Sequence, residues 1–72
     1  MIENNKIGTN IKKFRKKEKL TQKELANKLN IRYQTVQKYE EGIISNIPLE
    51  TIIKLSKILG VSIQDILGIK EN

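Results

Sequence analysis

The 72-residue chain contains no cysteine and no histidine. The first absence rules out a disulfide, and the two together remove the common ligands of a zinc site. They also remove the side chains that most often act as nucleophile or general base, and no pair of acids stands at a pocket-like spacing. Neither catalysis nor a cofactor nor a small-molecule ligand is expected. Apolar runs are short as well, none approaching the ~18 residues of a membrane span. The opening Met1 to Asn5 lacks the charged and then apolar profile of a signal peptide, so a cytoplasmic location is expected. No alternating strand pattern and no low-complexity linker interrupts the sequence. A chain this short does not bury two separate cores. The expectation is one all-α domain over residues 1–72, with its core in 7–67 and its stability resting on packing and self-association.

What the chain does have is charge, unevenly placed around a net +6. Residues 1–39 carry 11 Lys or Arg against Glu3, Glu18 and Glu24, whereas residues 40–72 carry 3 against 5 acids. One end is therefore a cationic surface of the kind that meets a polyanion. Lysine-rich composition also follows from AT-rich codons. Charge alone thus leaves both nucleic acid and a plain solvated surface open.

Helical periodicity fills the sequence. Ile7, Ile11 and Phe14 recur at i, i+4 and i+7, the buried stripe of a first helix. Lys12, Lys13, Arg15, Lys16, Lys17 and Lys19 crowd its other faces and its end. Thr21 followed by Glu24 is a capping box that starts a second helix at Gln22, with Leu25, Ala26 and Leu29 inside. Asn30, which after glycine tolerates the left-handed conformation best, ends it. A third helix runs from about Tyr33 to Glu41 and stops at Gly42, and Ile43 to Pro48 is a loop. Pro48 opens a fourth helix with Ile52, Leu55, Ser56 and Leu59 on one face and Gly60 as its stop. Ser62 with Asp65 repeats the capping pattern, and Ile63, Ile66 and Leu67 supply a short fifth helix ending at Gly68.

The informative stretch is Gln22 to Glu40, two helices of about two turns joined by Asn30, Ile31 and Arg32. So short a turn makes the helices cross at roughly 90–120°, and Ala26 is the small residue where they approach. Leu25, Leu29, Ile31, Val36 and Tyr39 close the corner. At about 100° per residue, Tyr33, Gln34, Gln37 and Lys38 share an arc on the side opposite Val36 and Tyr39. A glutamine pairs with the N6 and N7 edge of adenine, a lysine donates to guanine O6 and N7 or to phosphate, and a tyrosine touches a thymine methyl or donates to phosphate. An ordinary solvated helix face has the same composition. The tight turn and the cationic first helix beside it are what point to a groove reader.

The blocks LTQKELANKLNIRYQTVQKYEEG and IPLETIIKLSKILGVSIQDIL resemble the phage repressor and Cro type (XRE-like) of helix-turn-helix family, a likeness spanning about 60 residues from Ile7 to Leu67. The resemblance implies a compact lambda repressor-like bundle of about five short helices. It implies a transcriptional regulator, a repressor for preference, that binds double-stranded DNA through the third helix. Gln34 and Lys38, with Tyr33 and Gln37 beside them, would face the bases. Thr21 and Gln22 would bring the second helix's N-terminus to a phosphate, with Lys23 and Arg32 as further phosphate contacts. The resemblance also suggests that Arg15 pairs with Glu40, a guanidinium neutralising an acid beside a surface meant for phosphate.

The chain departs from the family pattern in three places. Arg32 stands where Ser or Thr caps the third helix, at a cost of about 1 kcal/mol. Asn30 replaces the glycine of the turn. Glu41, Gly42, Ile43 and Ile44 stand where many relatives carry a basic loop that touches phosphate, which leaves Ile43 and Ile44 as either a partner surface or extra core.

The apolar inventory exceeds one core. Ile7, Ile11, Phe14, Leu20, Leu25, Leu29, Val36, Tyr39, Ile52, Leu55, Leu59 and Val61 suffice to fill it, leaving Ile63, Ile66 and Ile69 for a two-fold contact. A homodimer would set two recognition helices about 34–36 Å apart on an inverted repeat. The rival from another class is a protein-interaction module, such as an antitoxin or antirepressor, on the same fold. Membrane-surface binding is disfavoured, because the lysine-rich first helix has no large exposed apolar face to insert.

Overall fold

The computed structural model describes residues 4–69; Met1 to Glu3, part of the stretch read for a leader, lie outside the described residues, as do Lys70 to Asn72. Five helices follow one another: α1 (Asn4–Lys17), α2 (Gln22–Leu29), α3 (Tyr33–Glu40), α4 (Leu49–Leu59) and α5 (Ile63–Leu67). No strand occurs among the described residues, and no helix there is long and apolar enough to cross a membrane.

Local chemistry explains where each helix begins. The Glu24 amide donates to Thr21 Oγ1 at 3.0 Å while the Thr21 amide donates to Glu24 Oε1 at 2.8 Å. The bond from the Thr21 amide foremost, with the Thr21 side chain second, holds the exposed Glu24 carboxyl below its ordinary value. Ser62 and Asp65 close the same box at the start of α5, at 2.9 and 3.2 Å. Arg32 supplies no side-chain cap to α3, and Pro48 stands just before α4.

One device ends all five helices. The residues after them are left-handed: Lys19, Asn30, Gly42, Gly60 and Gly68. Past each, an amide bonds back five residues, from Leu20 to Arg15, Ile31 to Ala26, Ile43 to Lys38, Val61 to Ser56 and Ile69 to Gln64, at 2.9–3.1 Å. This is the six-to-one bond of a Schellman motif, which satisfies a carbonyl that the helix leaves open. Four of the five stops are Asn or Gly. Lys19, at φ 58°, is the exception and carries no sequence signal.

The buried core consists of Ile7, Ile11, Leu25, Ala26, Leu29, Val36, Tyr39, Ile52, Leu55, Leu59 and Ile66. Phe14, Leu20 and Val61 are only partly buried against it. Ile66 corrects the expectation for the two-fold contact: it is 0% exposed. The α5 helix folds back on α1 and α4, and the Asn10 side-chain amide of α1 donates to the carbonyls of Ile66 and Asp65 at 3.1 and 3.3 Å. Ile66 is consumed by its own chain. Ile63 is half-buried and Ile69 is exposed. Ile43 and Ile44 divide: Ile44 packs on the core, whereas Ile43 is 66% exposed. Finally, α1 meets the end of α3 at Gly8. A Cβ there would collide with the Tyr39 carbonyl oxygen and lie 3.0 Å from that of Glu40.

Candidate nucleic-acid interface

The α3 helix is pinned from behind. Val36 and Tyr39 are buried, the latter deeply enough that desolvation raises its phenol above its ordinary value. Pinning those two positions turns the opposite arc outward. Gln34 and Lys38 are exposed there, with Tyr33 and Gln37 half-buried beside them. Their amide and ammonium groups are donors and acceptors presented on one rigid surface, the inventory that a base edge requires.

The angle of that surface is set by a three-helix clamp. Arg15 Nε donates to Glu40 Oε2 at 2.6 Å and Nη2 to Oε1 at 3.0 Å, a bidentate pair. Nη1 of the same guanidinium donates to the Leu20 carbonyl at 2.7 Å. Gln22 Nε2 adds a bond to Glu40 Oε1 at 3.1 Å. The side chains of Arg15 and Glu40 are only 9% and 2% exposed, so the pair lies largely out of water and ties the end of α1, the start of α2 and the end of α3 together. Gln22 therefore braces α2 against α3. Of its amide group, only the second N–H hydrogen stays free to donate to a phosphate.

Between α2 and α3 lies an open groove of about 530 Å³ lined by Lys23, Ala26, Asn27, Ile31, Arg32, Tyr33 and Gln34. It contains two cations and no acid. Lys23 Nζ stands 5.2 Å over the Tyr33 ring, a cation–π contact that orders both side chains. The structure thus gathers Lys23, Arg32, Tyr33 and Gln34 at one groove. Gln37 and Lys38 lie a turn further along α3, and Thr21, its hydroxyl oxygen accepting at the cap, stands at the head of α2. Sequence reasoning missed Gln22 as a brace and Asn27 as a groove residue. The first has no local signal, because its partner is 18 residues away; the second follows from α2 periodicity, one turn beyond Lys23.

Two short helices crossing at a tight turn, the second presenting a polar arc, define a helix-turn-helix domain. The model of the helix-turn-helix family matches residues 11–66, and the chain belongs to this family, in its XRE-like branch. Among solved structures it is similar to the master regulator for biofilm formation SinR in complex with DNA. That chain is 30% identical, the match covering 85% of this chain and 97% of the chain in that structure with a TM-score of 0.80. It is also similar to the restriction-modification controller protein C.AhdI from Aeromonas hydrophila, 25% identical over 88% of this chain and 94% of the other, TM-score 0.80. The hypothetical transcription factor NHTF from Neisseria is 28% identical over 89% of this chain and 72% of its own, TM-score 0.81. No curated protein matches the chain significantly in sequence.

Proposed function

We propose that this protein is a cytoplasmic, sequence-specific regulator of transcription, acting as a repressor, that lays α3 in the major groove of double-stranded DNA. The observation that carries the reading is the outward arc of Tyr33, Gln34, Gln37 and Lys38 on a helix immobilised by the Arg15–Glu40–Gln22 clamp. Rigidity matters here, because base readout depends on hydrogen-bond geometry and each good bidentate pair is worth about 1–3 kcal/mol. Thr21, Lys23 and Arg32, with the free amide hydrogen of Gln22, position the domain on the phosphates. The similarity to SinR, which was solved in complex with DNA, supports the same mode of use.

The protein acts as a homodimer on an inverted repeat, with Ile63 and Ile69 contributing apolar surface to the two-fold contact. Ile43 and Leu49, 66% and 67% exposed, favour a second reading, in which the same fold docks a protein as an antitoxin or antirepressor does. Selection of bound duplexes from a randomised pool at physiological salt separates the two. Enrichment of an inverted repeat is the expected result. On that site Gln34→Ala or Lys38→Ala costs about 1–3 kcal/mol, and much less on random DNA. Absence of enrichment, with both substitutions tolerated, would leave the protein-docking reading.

A further inference from the structure

Two adjacent acids close α3 and meet opposite fates. Glu40 turns inward, where Arg15 and Gln22 neutralise it. Glu41 stays in right-handed helical conformation as the C-cap, at φ −84° and ψ −6°, so its side chain continues the helical progression of α3. At about 100° per residue it falls within roughly 60° of Gln34 and Gln37, on the reading stripe itself. It is exposed, and the ion pairs found among the described residues, Arg15–Glu40 and Lys54–Glu50, do not include it. Gly42, Ile43 and Ile44 bring no cation to it. The reading face therefore ends in a carboxylate that is outside any ion pair found, with Lys38 the nearest cation, one turn back on the same stripe.

The position of that carboxylate decides what it meets. Glu41 is seven residues beyond Gln34, roughly 10 Å along the axis at the helical rise, and the major groove is about 12 Å wide. A helix that enters the groove by its N-terminal residues brings such a position to the rim, where the phosphates stand. We infer that Glu41 is an electrostatic brake, a residue that lowers affinity for every duplex while leaving the preferred sequence unchanged. This rests on the DNA-binding reading above. Its use would be faster exchange: each phosphate contact of a +6 domain strengthens its hold on every duplex site alike, and one like charge at the rim weakens that sequence-independent hold without touching the base contacts.

A unit charge about 7 Å from a phosphate in water is worth about one RT, or a factor of roughly three in affinity. The 72-residue chain and its Glu41→Gln and Glu41→Lys variants are titrated onto the selected duplex and onto a random one across a salt series. Expected are roughly threefold tighter binding for Glu41→Gln and about tenfold for Glu41→Lys, equal on both duplexes. The salt slope should steepen by about one unit for the lysine variant. A loss confined to the selected duplex would overturn the inference in favour of Glu41 accepting from an exocyclic amine. Unchanged affinity on both would place Glu41 outside the interface. Wild-type protein that prefers neither duplex would sink the DNA-reading function itself, a failure separable from the other two. Thermal unfolding of both variants, expected no lower than wild type because Glu41 is exposed, outside every ion pair found and an acid at a helix C-terminus, verifies that the comparison is between folded proteins.

Discussion

Replacing Glu40 by alanine tests whether the clamp is a structural keystone or an ordinary surface pair. The substitution removes two of the three hydrogen bonds of Arg15 together with its counter-charge, and the bond from Gln22. What remains is a guanidinium held by the Leu20 carbonyl alone, in a residue that is 7% exposed. Stripping one partner from a largely buried pair costs about 3–5 kcal/mol, because the surviving charge can neither rehydrate nor find another acceptor. A domain of this length is stable by roughly 4–11 kcal/mol in all, so the variant should lose a large fraction of its stability, and at about 4–8 °C per kcal/mol its Tm should fall by at least 12 °C. Urea denaturation followed by far-ultraviolet circular dichroism reads the loss as a lower midpoint at unchanged slope. The double variant Arg15→Met with Glu40→Leu should recover at least half of it, since two apolar side chains leave no charge buried without its counter-ion. A loss below about 1 kcal/mol for Glu40→Ala, the scale of exposed pairs, would refute the assignment of the clamp to the protein interior.

Other consequences follow from single positions. Gly8→Ala should cost about 1–3 kcal/mol in the same denaturation experiment, because the added methyl meets two backbone carbonyls that cannot rotate away. Lys19→Gly should raise stability by about 0.5–1 kcal/mol by relieving a left-handed lysine, and an unchanged midpoint would show that no strain resides there. Burial raises the folded-state value of the Tyr39 phenol, so the unfolded chain releases that proton first. Its contribution is complete below about pH 10 and is lost as pH rises towards the folded value. Tyr39→Phe should show a shallower alkaline decline than wild type, with the lysines titrating alike in both.

Much of this protein was legible in local sequence because its helix ends are local chemistry. A capping box spans four residues, so Thr21 with Glu24 and Ser62 with Asp65 announce α2 and α5 wherever the chain goes next. A left-handed stop depends on one residue's tolerance, which makes Asn30, Gly42, Gly60 and Gly68 readable; Lys19 takes the same conformation without the tolerance, held by the Schellman bond between Leu20 and Arg15. The outward arc of α3 is likewise periodic and needs no knowledge of the fold. Other features came only from tertiary structure, because they join residues far apart in the chain. Ile66 looked surplus to the core until the return of α5 onto α1, fastened by Asn10 from 56 residues away, buried it completely. The bracing bond of Gln22 to Glu40 exists only because the end of α3 arrives beside the start of α2. Gly8, silent in sequence, is required by the close crossing of α1 over the Tyr39 carbonyl. Periodicity and caps determine which residues face in or out of each helix; only the packing of one helix on another decides how much of that surface the chain keeps for itself.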